Sequence, residues 1–264
     1  MVPDMTGTIE PGDGEHVADI NGTKLNVFTY RPATPRLVLA VFHGMHRDAG
    51  PYRDRAKPLA DKIGAIVVSP EFDAERFSID LYQRGGVAPH GMFVPPGRRT
   101  VDLIVPLMAW ARAAAGEDDL PTALIGHSAG GQFLSRVAAF VPTDATRLVI
   151  ANPSTWVLPS VTDAVPYGFG GTPNAEAAVR AYLALPITAL LGAEDTGTEN
   201  LSSEAEAVAQ GPTRLQRGRN AFAKAKAAAQ ALGCPFGWRI AEVLGVGHDS
   251  AGMFSSQQAF EALR

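Results

Sequence analysis

Short runs of apolar residues alternate along the chain with longer stretches in which apolar positions recur every three or four residues. Leu37–Phe42 reads as a buried strand by its length and β-branched content, and it ends at His43-Gly44. The segment 65–68 runs into Ser69-Pro70, 122–125 into Gly126, Arg147–Ala151 into Asn152-Pro153, and 187–191 into Gly192. Strands that are apolar throughout and separated by helical segments predict a parallel sheet covered by helices on both faces. Ahead of them, 16–20 and 24–30 flank Asn21-Gly22, a dipeptide suited to tight hairpins, so an antiparallel pair should lead into the sheet. The segment 238–244 reads as the last strand.

The helices are legible from the same periodicity. Val101, Ile104, Val105, Met108 and Ala111 share one face, with Pro106 expected to shift or kink the first turns. A helix over 132–140 follows Gly130-Gly131. Phe222, Ala225, Ala229 and Leu232 line a long alanine-rich helix stopped by Gly233 and Pro235. One last helix should carry Phe254, Phe260 and Leu263, capped by Asp249 or Ser255. The segment 153–171 breaks the alternation with Trp156, Pro159, Pro166, Tyr167 and Phe169. It is too aromatic for a disordered linker and too interrupted for a regular element, which predicts a short inserted loop or cap after the sixth strand. No repeat and no long linker divides the chain. Residues 1–264 therefore read as one α/β domain, with 153–180 as a cap or pocket wall.

Composition narrows the function. The 264 residues are 46% apolar and 19% charged, which excludes a disordered chain. Lys+Arg 23 against Asp+Glu 27 leaves a formal charge of −4, without the basic excess that nucleic-acid binding needs. Cys234 is the only cysteine, so no intrachain disulfide can form. No Lys or Arg precedes Lys24 and no apolar run approaches membrane-spanning length, so the expectation is a cytoplasmic protein without membrane association.

The strongest chemical signal is Gly126-His127-Ser128-Ala129-Gly130-Gly131, a G-x-S-x-G pattern between a strand and a helix. That context holds a serine out on a sharp turn at a strand's carboxyl end, as a nucleophile requires. A serine hydroxyl needs a base, itself oriented by a carboxylate, in the chain order serine, acid, histidine. His248 is the only histidine after Ser128 and lies in a glycine-bearing loop behind the last strand. Asp195, just after the strand at 187–191, is the better-placed acid, with Glu194, Asp163 and Asp249 as weaker alternatives. The N–H groups of Ala129 and Met45 are candidate oxyanion donors, at the two strand ends facing one another. Trp156, Tyr167 and Phe169 are candidate substrate-pocket residues, and the stretch around Tyr82, Gly85-Gly86 and 91–97 could line a cleft. His43, His46 and Asp48 read as turn chemistry and not as a metal site. Arg214, Arg217, Arg219, Lys224 and Lys226 read as the solvated face of a helix.

This order of motifs resembles the α/β-hydrolase superfamily over nearly the whole chain. More narrowly, His43-Gly44-Met45, the elbow, Asn152-Pro153-Ser154-Thr155-Trp156 and Gly247-His248-Asp249 are similar to esterases of the polyhydroxybutyrate-depolymerase and feruloyl-esterase type. The resemblance implies an eight-stranded, mostly parallel sheet, a cofactor-free serine mechanism, and substrates bound above the strands' carboxyl ends. The N-terminus does not read as a secretory signal and there is one cysteine, so the expectation is a departure from the secreted members of that type. The expected activity is cleavage of a small-molecule carboxylic ester. A thioesterase, an acyltransferase or a peptidase would use the same groups. A catalytically silent ligand-binding homologue would be expected to lose a triad member. An aspartate at the elbow would have pointed to dehalogenases or epoxide hydrolases, and Ser128 stands there instead.

Overall fold

The computed structural model describes residues 7–264. The N-terminal six residues, on which the reading of a missing signal partly rests, lie outside the described residues. Eight strands form one sheet: β1 (Gly12–Ile20), β2 (Thr23–Arg31), β3 (Leu37–Phe42), β4 (Ala65–Pro70), β5 (Thr122–His127), β6 (Arg147–Ala151), β7 (Ile187–Gly192) and β8 (Arg239–Val243), in the spatial order β1-β2-β4-β3-β5-β6-β7-β8. β1 and β2 are the expected antiparallel hairpin, with Asn21 and Gly22 both at positive φ, the backbone that a two-residue turn demands. β2 pairs antiparallel to β4, and every later pairing is parallel.

Along β3 the side chains divide between two cores. Val38, Ala40 and Phe42 face one layer with Ile104, Phe133, Tyr182 and Ala225, while Leu39 and Val41 face the other with Tyr52, Leu59, Phe254 and Leu263. The second layer is built by α1 (Ala49–Ile63), α7 (Ser250–Ser255) and α8 (Gln257–Leu263); the first by α2 (Ile104–Ala115), α3 (Ala129–Phe140), α4 (Ala175–Ala184) and α6 (Arg214–Leu232). A one-turn helix, α5 (Ala205–Val208), interrupts the β7–α6 connection. Strands buried on both faces explain why their sequences are apolar without alternation.

Pro106 acts as expected. It is the third residue of α2, and the turn before it, Thr100–Leu103, is a tighter 3-10 turn. The last helix differs from the expectation, because Ser256 adopts an extended backbone and splits it into α7 and α8. Asp249 caps α7, and Ser256, not Ser255, caps α8 by accepting from Ala259 N–H. Phe254 therefore belongs to one short helix, and Phe260 and Leu263 to the next.

The strand order places β4 on one side of β3 and β5 on the other. Such a reversal opens a crevice at the strands' carboxyl ends, where α/β sheets bind ligands. Among the described residues no helix is long and apolar enough to cross a membrane.

Candidate active site

The crevice is occupied by a sharp turn. β5 ends at His127, α3 begins at Ala129, and Ser128 between them has φ 58° and ψ −117°, outside the regions that L-residues favour. The turn is held by Ser128 N–H donating to Ala151 O at 3.0 Å and Gln132 N–H donating to Ser128 O at 3.0 Å. It also needs glycine where main chains cross. A methyl at Gly130 would lie 2.5 Å from the carbonyl carbon of Phe42 and 2.8 Å from His43 O, and one at Gly126 would lie 2.5 Å from the carbonyl carbon of Gly130. These contacts press the first turn of α3 against the end of β3.

Two loops bring partners to the serine. His248 Nε2 lies 2.9 Å from Ser128 Oγ, and His248 Nδ1 lies 2.8 Å from Asp195 Oδ2. The Asp195 carboxylate is 1% exposed, and Arg214 stands 3.5 Å from its other oxygen. Glu194 and Asp163 are exposed, and Asp249 caps α7, so only Asp195 of the four candidate acids meets the histidine. The turn behind β7, closed by Asp195 N–H donating to Gly192 O, separates the neighbours: Asp195 is buried and Glu194 exposed.

Asn152, directly after β6, fastens both loops. Its Oδ1 accepts from Gly192 N–H at 2.8 Å, three residues before the acid, and its Nδ2 donates to Gly247 O at 3.3 Å, next to His248. Removing one partner of a buried hydrogen bond leaves the other unsatisfied at a cost of about 1–3 kcal/mol. Asn152→Ala should accordingly lower the thermal unfolding midpoint by about 4–8 °C for a loss of about 2 kcal/mol. An unchanged melting curve would show that these bonds carry no net stability.

The strand end opposite the elbow is equally constrained. His43 is fully buried; its Nδ1–H donates to Gly44 O at 2.9 Å, and its Nε2 accepts from Phe72 N–H at 3.0 Å. Tyr82 O–H donates to His43 O at 2.8 Å, and the Arg47 guanidinium lies over the Tyr82 ring while donating to Phe72 O and Phe77 O. This network fixes the turn bearing Met45. Ala129 opens α3, so its N–H is among the donors that the helix itself leaves unpaired. Both Met45 and Ala129 border the cavity at Ser128.

Burial pushes the His43 imidazole down from 6.5 to about 4. The unfolded chain takes up this proton near pH 6.5, whereas the folded protein resists until about pH 4. The stability linked to neutral His43 is thus complete above pH 6.5, declines as the pH falls, and is gone by about pH 4, a change of about 3 kcal/mol. Urea midpoints should fall across that window, and less steeply in His43→Gln. His127 adds to the slope: it is buried against Tyr52 and the His248 ring, and desolvation first, then His248, holds it well below the ordinary histidine range.

Two cavities flank Ser128. One, of about 270 Å³, lies on the His248 side with Tyr52, Asp48 and Arg55. The other, of about 220 Å³, lies on the Ala129 side with Gln132, Ile79, Arg84 and Asn200. Trp156 and Phe169 are wholly buried and border neither; the Trp156 main chain is clamped by both ends of the Gln210 amide, and Phe169 packs on Phe140 and Tyr182. Tyr167 lines a separate cavity. Tyr82 is a buried support of the His43 turn, and the neighbouring Arg84 reaches the cleft.

The expectation that the α6 arginines form a solvated face is corrected at two positions. Arg214 and Arg217 are each 2% exposed, because the β7–α6 connection folds over the first turn of the helix. Arg217 donates to the carbonyls of Gly211, Ser154 and Ser202, and Arg214 to Glu199 O. Arg219 does face solvent and pairs with Glu242. Nothing in the local sequence separates these three arginines; only the fold of that connection does. Among the described residues no group of three or more His, Cys, Asp or Glu is arranged to hold a metal ion.

No protein-family model and no curated protein matches the chain. Solved structures do. A poly(aspartic acid) hydrolase-1 from Sphingomonas sp. KT-1 is 32% identical with a TM-score of 0.90, and the match covers 97% of this chain and 99% of that one. A poly(3-hydroxybutyrate) depolymerase from Bordetella parapertussis is 31% identical with a TM-score of 0.87, covering 97% and 96%. An S-formylglutathione hydrolase from Agrobacterium tumefaciens, 14% identical with a TM-score of 0.57 over 97% and 98%, shares the fold. With two relatives above 30% identity over almost its whole length, the chain belongs to the α/β-hydrolase superfamily, among the hydrolases of the polyhydroxybutyrate-depolymerase type.

Proposed function

We propose that the protein is a serine hydrolase that cleaves a carboxylic ester through an acyl-enzyme on Ser128. The observation that carries this reading is the continuous relay Ser128–His248–Asp195, at 2.9 and 2.8 Å. His248 Nε2 takes the hydroxyl proton as Oγ attacks the carbonyl carbon. Asp195 accepts from Nδ1–H, which selects the tautomer with a free Nε2 and stabilises the imidazolium that forms. The amides of Met45 and Ala129 receive the negative charge developing on the carbonyl oxygen, in a low-dielectric setting where each such donor is worth about 3 kcal/mol. His248 then delivers its proton to the departing alcohol oxygen. Water repeats the sequence to free the acid and restore the serine.

The two cavities acquire roles from this chemistry. The leaving group must lie where His248 can protonate it, in the cavity with Tyr52 and Arg55. The acyl group then lies beside the oxyanion donors, in the cavity with Gln132 and Arg84. Both are bordered by polar and charged groups, which favours small polar esters over lipids. The polymers in the two relatives' names extend the candidates to chains of linked acyl units, including amide-linked ones. Thioester cleavage and acyl transfer would use the same groups. The test is turnover of short p-nitrophenyl esters together with intact-mass labelling by a fluorophosphonate. The expected result is one adduct, located at Ser128, with loss of turnover; an active enzyme that stays unlabelled would overturn the mechanism.

A further inference from the structure

Beyond the acyl-side cavity lies another, of about 270 Å³, bordered by Tyr167, His90 and Glu206. The two share a pair of residues, Arg84 and Glu204, and these are joined to each other by an ion pair. Arg84 comes from the turn around 78–86, which Tyr82 and Gly85 anchor through bonds to His43 O and Val101 N–H. Glu204 comes from the β7–α6 connection, which is anchored by Ser202 N–H on Ser154 Oγ and by Arg217 on Ser202 O. Each side of the contact is thus tied to the body of the protein by its own bonds.

The pair is also oriented from behind. Arg84 donates to Asp80 at 2.6 Å and to the Tyr167 hydroxyl at 3.2 Å. Glu204 stands at the N-cap of α5, yet its side chain makes no capping bond; its carboxylate is turned across the gap to Arg84 instead. An N-cap acceptor normally stabilises a helix start, so this side chain serves the crossing and not its own helix.

We propose that the Arg84–Glu204 pair is an end wall of the acyl-side cavity, restricting the enzyme to short acyl groups and closing off the Tyr167 cavity that longer ones would enter. This rests on the ester-hydrolase reading above and assigns Arg84 and Glu204 as specificity-determining residues. Removing either side chain joins the two cavities into one channel. Removing both gains little more, because one wall is lost in each case.

The test compares kcat/KM for p-nitrophenyl octanoate with that for the acetate, in wild type, Glu204→Ala, Arg84→Ala and the double variant. The octanoate-to-acetate ratio is expected to rise at least about tenfold in each single variant, since each accommodated methylene contributes to discrimination, and by no more than about twofold further in the double. In Glu204→Ala, Asp80 still compensates Arg84, so this variant is the safer to fold. A second measurement uses the unmodified chain: salt weakens a half-exposed ion pair, so the wild-type ratio should rise with ionic strength more than that of Glu204→Gln. Ratios that stay at the wild-type value in folded variants, or equal salt responses of wild type and Glu204→Gln, would overturn the end wall. Wild type that turns over neither ester would instead overturn the parent reading.

Discussion

Replacing Ser128 by alanine is expected to lower kcat on an activated ester by about a million-fold, with the fold and melting temperature preserved. The size follows from the three residues acting as a unit: without Oγ, His248 has no proton to take and Asp195 no imidazolium to stabilise. His248→Ala should cost about as much, and the double variant little more than either. Asp195→Asn should cost about ten-thousand-fold, because an asparagine amide donating to Nδ1 leaves the Nε2 proton facing the serine. That variant also strands Arg214, whose guanidinium is buried beside the lost charge, so its unfolding midpoint should fall where that of Ser128→Ala does not. Initial rates with active-site titration would measure all four. Retention of more than about a tenth of the wild-type rate by Ser128→Ala would refute nucleophilic catalysis by this residue.

The second large effect is expected from a single methyl group. Gly130→Ala sets a Cβ 2.5 Å from the Phe42 carbonyl carbon and 2.8 Å from His43 O, both main-chain atoms of a buried strand end with no rotamer to yield. Overpacking of this kind costs about 1–3 kcal/mol and occasionally more. A loss of about 3 kcal/mol would lower the melting temperature by about 6–12 °C. The displaced atoms carry the turn that holds Met45, so surviving folded enzyme should also lose about a hundredfold or more in kcat. Gly197→Ala, where the new methyl meets nothing within 4 Å, is the control and should change neither. Gly130→Ala with wild-type rate and stability would mean that the main chain at the elbow is freer to move than its contacts imply.

Most of the strand framework can be read directly from the residues. Buried parallel strands have to be apolar on both faces, and Asn21-Gly22 admits few structures other than a hairpin. The elbow was legible for a related reason: Gly126, Ser128 and Gly130 each answer a distinct main-chain constraint, two of close approach and one of exposure. Asp195 stands out from Glu194 by its place just behind the strand at 187–191, and the structure turns it inward and Glu194 outward. Where the sequence was misleading, the cause was tertiary. Trp156 and Phe169 lie away from the two cavities at Ser128, with their rings against Trp238, Phe140 and Tyr182, neighbours that only the fold brings to them. Arg214 and Arg217 show the charge pattern of a solvated helix until the connection before them folds across it. Asn152 was visible only as part of a motif; its role as a double fastener depends on β7 and the His248 loop lying side by side.

The crossing of α3 over the end of β3 divides the molecule into parts with unequal freedom to diversify. Residues at that crossing answer to neighbours in the main chain, so they can change only in concert. The turn around Arg84 and the connection around Glu204 instead border the cavity beside Ser128. Substitutions at those two rims can therefore reshape the cavity while the main chain of the elbow beneath stays as it is.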